Sequence, residues 1–162
     1  MPLFCLHLPY PKLALKGLNK IIPKDLNPEN KERLTNNFDA SITYSRQIGN
    51  IYTGSLYLGL LSLLEQSQDI KAGDKIGFFS YGSGAVSEIF SGRLVEGYKD
   101  LLRSDRLDTF AKRQPLSVAD YEKLFYEEAQ LDDTGSTQFA DYQTGAFRLA
   151  EISEHQRIYK GN

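Results

Sequence analysis

The chain of 162 residues has one cysteine, two histidines and no long apolar run. Its most apolar stretch, residues 56–64, is interrupted by Gly59 and Ser62 and is far shorter than a bilayer-spanning helix. The start, Met1-Pro2-Leu3-Phe4-Cys5-Leu6, lacks both the basic segment and the small-residue cleavage pattern of a secretory signal. These absences predict a cytoplasmic protein with no membrane association. A single Cys5 excludes an internal disulfide framework, and His7 and His155 lie too far apart in sequence to suggest a structural metal site. Also missing are a phosphate-binding G-x-x-x-x-G-K-[ST] loop, a dinucleotide G-x-G-x-x-G between strand and helix, a G-x-S-x-G elbow, internal repeats and low-complexity tracts.

What is present fits one globular domain, residues 1–162, of mixed α and β: 41% apolar and 25% charged positions, enough to bury a core. The chain enters the apolar run from Leu3 with no polar lead-in, where independent domains begin at the surface, so it reads as one entered partway through. Charge is unevenly spread. Residues 1–50 carry 7 Lys/Arg against 4 Asp/Glu, and residues 51–162 carry 12 against 17. The acidic total argues against nucleic-acid binding, whereas the basic beginning leaves room for a local anion site.

Residues 3–8 read as a buried strand, followed by a proline-started helix over about 10–22 that Pro23 ends. A helix over about 28–37 is expected next, with another from Asp39 or Ser41 toward Arg46. Gly49-Asn50-Ile51-Tyr52-Thr53 is a turn into a helix over about 54–66, with Thr53 at its N-cap; apolar nearly all round, that helix should lie inside the molecule. Residues 75–81 and 85–95 read as an antiparallel hairpin about Gly82-Ser83-Gly84. Helical patterns follow at about 98–102, 106–112 and 118–129, the last capped by Ser117. A loop over 131–144 precedes a closing strand pair, 146–152 and 156–160.

Cys5 and His7, two apart on a strand, would share a face and invite a nucleophile–base reading. Such pairs normally converge from different elements, and a free cysteine is commonly a small buried hydrophobe. His7, at a strand end before a helix, stands where mixed-sheet proteins place ligand-facing groups, although a lone histidine is also an ordinary structural residue. Lys12, Lys16, Lys20 and Lys24 are spaced by four, so the first three share one helical face: either a solvated basic stripe or a seat for a phosphate near His7. Asn50 stands before a helix N-terminus, as a turn residue or a donor to a carbonyl or anion. Ser83, in a tight glycine turn, could offer a backbone N–H to a developing oxyanion, or simply close a hairpin.

The ordered set His7-Leu8-Pro9-Tyr10-Pro11-Lys12, Gly49-Asn50-Ile51-Tyr52-Thr53-Gly54-Ser55 and Ser80-Tyr81-Gly82-Ser83-Gly84, with Leu94-Val95-Glu96-Gly97-Tyr98-Lys99-Asp100 after it, resembles the hydroxymethylglutaryl-CoA (HMG-CoA) synthases of the bacterial mevalonate, isoprenoid-forming type. The resemblance spans the whole chain but only the C-terminal part of that family. It implies a thiolase-like half, a mixed β-sheet covered by helices, and an acyltransferase that condenses acetyl-CoA with acetoacetyl-CoA. It also implies site roles: His7 as the active-site histidine that polarises the acetoacetyl group, Lys16 with Lys12 in support on the CoA side, Asn50 as a donor to the acyl substrate, and Ser83 through its backbone N–H. The family's nucleophilic cysteine and glutamate base belong to the part that would precede Met1, so the isolated chain is expected to be inactive and to require the N-terminal part. The family further implies a homodimer and no metal or organic cofactor, CoA thioesters being substrates. Two other readings stay open: a ketoacyl-synthase-type condensing enzyme, and a non-catalytic CoA-binding or association domain.

Overall fold

The computed structural model describes residues 3–82, 84–139 and 145–161. Backbone contacts group the chain into two compact units, residues 1–113 and 114–162, a division that the single-domain reading of composition does not contain.

The first unit is built on a three-stranded sheet in the order β1 (Leu3–Leu6), β2 (Lys75–Gly82), β3 (Val86–Arg93). β1 runs parallel to β2, from Leu3 opposite Ile76 to Leu6 opposite Phe79, and β3 returns antiparallel as the expected hairpin. Strand alternation divides the apolar residues between two faces. Leu3, Cys5, Ile76 and Phe78 pack with Leu56 and Leu63 in one cluster, where Phe78 and its cross-strand partner Phe90 stack at 4.8 Å. Phe4, Leu6 and Phe79 turn the other way, into a cluster with Ala14, Leu18, Phe38 and Ile42. Gly77 is required by this second face: a Cβ there would stand 2.8 Å from the Phe4 ring.

Helix α1 (Pro11–Ile21) begins on a proline whose missing N–H costs nothing in the first turn, and it stops before Pro23 as expected. Helix α2 (Pro28–Ile48) is one uninterrupted helix where the sequence suggests two. The polar residues that invite a break instead bond to the preceding turn: Thr35 to the Lys31 carbonyl, Asn37 to that of Arg33, and Thr43 to that of Asp39. It ends at Gly49, whose φ of 84° only glycine adopts without strain. Helix α3 (Gly54–Gln66) has the expected limits, but Thr53 at its N-cap makes no side-chain hydrogen bond. Small residues let α2 and α3 approach closely: Ser41, Ser45, Ser55 and Ser62 are all buried, and the Ser62 hydroxyl donates to the Ala40 carbonyl at 2.5 Å. A 3-10 turn (Tyr98–Leu101) and α4 (Arg106–Ala111) follow. Arg106 pairs at 2.9 Å with Glu65, whose side chain is 2% exposed and also accepts from the Tyr44 hydroxyl and the Arg103 N–H. Burial alone would raise the Glu65 carboxyl, yet the bonds from Tyr44, Arg103 and Arg106 together hold it below the ordinary glutamate value.

The second unit comprises α5 (Val118–Tyr126) and the antiparallel strands β4 (Thr137–Gln138), β5 (Phe147–Ser153) and β6 (Gln156–Gly161). The Ser117 hydroxyl caps α5 by accepting from the Asp120 N–H at 3.1 Å, as the sequence suggests. β4 lies within the stretch expected to be a loop. Glu154 and His155 turn the β5–β6 hairpin with φ of 47° and 66°, the backbone of a tight two-residue turn.

Candidate functional site

The site forms where β1 gives way to α1. The His7 N–H donates to the Phe79 carbonyl at 2.8 Å, continuing the β1–β2 ladder one step, while the next N–H, that of Leu8, turns to the buried Ser55 hydroxyl at 3.1 Å. Ser55 lies in the first turn of α3, so the residue after His7 is fixed to that helix. The expected sharing of one face by Cys5 and His7 does not occur, for His7 lines a cavity with Phe4, Leu6 and Phe79. Cys5 packs beneath the sheet against Leu56 and Leu63, fully buried, and burial pushes its thiol up to about 12. This sulfur is a core atom, unsuited to act as a thiolate nucleophile.

His7 faces instead an apolar cavity of about 650 Å³ between α1 and the sheet face of Phe4, Leu6 and Phe79. The polar side chains along it are His7, Tyr81, Lys16 and Lys20. The imidazole lies 6.2 Å, centroid to centroid, from the Tyr81 ring, and its Nδ1 is buried with no hydrogen-bond partner among the described residues. A buried ring nitrogen left unpaired is costly to the fold. Apolar walls with a few convergent polar groups and cations at the rim are the attributes of a pocket for an apolar chain ending in an anion.

The structure therefore brings His7 and Lys16 together. Lys12 is exposed on α1 and does not line the cavity, whereas Lys20, one turn beyond Lys16, does. Asn50 is exposed on the turn into α3, with its Oδ1 accepting from the Tyr52 N–H at 2.8 Å. This is a local turn bond that leaves the amide Nδ2 free to donate elsewhere. Ser83 lies outside the described residues. Tyr81 is the polar lining residue to which sequence reasoning gives no role, and Lys20 entered only as part of the basic stripe. Alternation along β2 from Phe79 would have placed Tyr81 on the cavity face, and the four-residue lysine spacing already contained Lys20.

Comparison with known proteins agrees with the fold. The family described as hydroxymethylglutaryl-coenzyme A synthase C terminal matches residues 18–160. An HMG-CoA synthase of Enterococcus faecalis is 47% identical over 127 residues, 78% of this chain and 33% of that protein. A crystal structure of HMG-CoA synthase complexed with CoA superposes on 100% of the chain, and on 42% of its own length, with TM-score 0.90 and 63% identity. An HMG synthase of the curacin biosynthetic pathway, in complex with apo donor-ACP, matches with TM-score 0.74 and 26% identity. The architecture is thus the thiolase-like α/β fold of these acyltransferases. The chain belongs to the HMG-CoA synthase family, and spans about a third of the length of the curated relatives that it matches.

Proposed function

We propose that this chain carries the electrophile-binding part of an HMG-CoA synthase site, the part that holds acetoacetyl-CoA while an acetyl unit donated by acetyl-CoA attacks its ketone. The observation that carries this reading is the single cavity shared by His7 and Lys16. Lys16 lies five residues into helix α1, about 8 Å along its axis from the end next to His7. His7 hydrogen-bonds the acetoacetyl group and exchanges a proton with the alkoxide formed at the ketone carbon. Lys16, with Lys12 behind it on the exposed side of α1, holds CoA phosphate oxygens. Asn50 donates its Nδ2 to a substrate carbonyl, and the Ser83 N–H stabilises developing negative charge on oxygen. CoA binding by a solved relative that superposes on the whole chain supports the ligand class.

The reaction needs no metal or organic cofactor on this reading: proton transfer and oxyanion stabilisation suffice for the condensation. Its nucleophile and base come from the N-terminal part of the same kind of enzyme, in a cytoplasmic homodimer when complete. Buried Cys5 is consistent with that division of labour. The 162-residue chain alone is expected to give no turnover with acetyl-CoA and acetoacetyl-CoA. Calorimetric titration with acetoacetyl-CoA tests the reading: one site per chain is expected, weakened at least tenfold by His7→Ala and by Lys16→Ala. Equal affinity in all three proteins would overturn it. A preference for an acetoacetyl carrier protein over the CoA ester would move the chain toward the carrier-dependent relatives.

A further inference from the structure

The backbone at His7 is held on both sides. Its own N–H donates to the Phe79 carbonyl on β2, and the N–H of Leu8 leaves the ladder for the Ser55 hydroxyl on α3 at 3.1 Å. A histidine that works on a ligand through one ring nitrogen is commonly oriented by a hydrogen bond at the other. Here Nδ1 is buried without a partner among the described residues, so the direction of the ring follows from its backbone and the packing around it. Little else secures that backbone. Pro9 and Pro11 have no N–H to donate, and Tyr10 gives α1 no side-chain cap. The seat for Leu8 is built into one turn of α3. Ser55, fully buried, takes the Leu8 N–H, and the Leu8 side chain lies over Gly59 four residues on, close enough for a Cβ there to meet its Cδ1 at 3.6 Å. Ser55 also ends a run of hydrogen bonds that starts at Asn50. The Tyr52 N–H donates to Asn50 Oδ1 at 2.8 Å, and the Ser55 N–H to the Tyr52 carbonyl at 3.0 Å.

We propose that Ser55 is a positioning residue: by taking the Leu8 N–H it fixes the angle at which the His7 imidazole enters the cavity, and it keeps that ring in register with the Asn50 turn. His7 and Asn50 approach from different elements, and Ser55 is bonded to the segments of both. A hydroxyl is what this position needs. An alanine there would leave the buried Leu8 amide without an acceptor, a cost that the chain relieves by shifting the strand end that carries His7. The lysines of α1 are spared, because Ala14 and Leu18 anchor that helix separately in the apolar cluster. That role rests on the function proposed above and names what orients its histidine.

Ser62 supplies the control. It lies two turns further along α3, is equally buried, and bonds to Ala40 and Tyr44 of α2, so Ser62→Ala deletes a comparable contact with no link to His7. The test compares Ser55→Ala with Ser62→Ala in the 162-residue chain by three readouts: the thermal midpoint, the ¹⁵N resonances of the His7 ring without ligand, and the ratio of calorimetric affinities for acetoacetyl-CoA and CoA. Both variants are expected to lose stability. Only Ser55→Ala should move the His7 nitrogens and lower the affinity ratio, by about tenfold, with the affinity for CoA itself unchanged. Equal effects of the two variants on the ratio, or unmoved His7 resonances in Ser55→Ala, would overturn the positioning role. Should Ser55→Ala not fold, Ser55→Cys, which keeps the volume and a weak acceptor, is read by the same ratio: a smaller fall supports the role and no fall overturns it. An unsubstituted chain that does not prefer acetoacetyl-CoA over CoA would overturn the function underneath, and the ligand-free His7 resonances would still decide the role of Ser55.

Discussion

In residues 1–113 two apolar clusters lie on either side of one sheet, whereas in residues 114–162 Ala150 is the only buried apolar side chain among those described. The second unit is held by other means. The β5–β6 ladder, a turn in which Asp132 accepts from the N–H groups of Thr134 and Ser136, and the Ser117 cap of α5 are all backbone-centred and largely exposed. Helix α5 buries no residue at all; its Tyr121 and Phe125 rings stack at 5.7 Å, and Phe125 meets Tyr126 edge to face at 5.0 Å. The contrast teaches where stability and chemistry reside. Apolar burial contributes about 25 cal/mol per Å², so the first unit owns most of it, and the cavity with His7 is cut into that unit's core.

Leu63→Ala, at a fully buried position between α3 and the sheet, is expected to lower the stability of the first unit by about 3 kcal/mol in urea unfolding, whereas Phe125→Ala on α5 should change it by less than about 0.5 kcal/mol. Comparable losses would erase the distinction between the units. Replacing Glu65 by Gln should cost on the order of 2 kcal/mol, because Arg106 loses its buried counter-charge. It should also alter the pH profile. The folded-state Glu65 carboxyl lies below its unfolded value of about 4.3, so its contribution is complete above that value and is lost as pH falls through the folded one. Asp69, bonded to Ser67, Asn37 and Arg33, adds in the same direction, and thermal midpoints of Glu65→Gln between pH 7 and pH 3 should fall less steeply than those of the unsubstituted chain. Glycines sharpen the contrast further. Gly77→Ala forces the Phe4 ring off the sheet and should cost about 2 kcal/mol, with a matching change at the cavity wall. Gly135→Ala in the second unit meets the His155 ring at a φ of 75° and should cost about 1 kcal/mol while leaving acetoacetyl-CoA binding unaltered.

Much of the first unit was legible because its signals are local. Pro11 and Pro23 bracket α1, Gly49 ends α2, and period-two alternation in β2 and β3 marks the hairpin. The single course of α2 was hidden because Asn37 and Thr43 have the same residue types whether they break a helix or bond back along it. His7 and Lys16 were legible as candidates from position and spacing, and the fold joins them. That Lys20 lines the cavity and Lys12 does not depends on how α1 is rotated against Phe4 and Phe79, which spacing along one helix does not encode. The separation of Cys5 from His7 falls just before Leu8, whose N–H leaves the ladder for a hydroxyl 47 residues away on α3, a contact that local sequence does not encode.

The two histidines permit a direct test, since His7 lines the cavity and His155 turns a hairpin in the second unit. In a chain labelled with ¹⁵N at its histidine rings, titration with acetoacetyl-CoA should shift the His7 nitrogens, including the unpartnered Nδ1, and leave those of His155 in place. Saturable binding with neither histidine perturbed, or with His155 alone moving, would contradict the assignment of His7 to the acyl group.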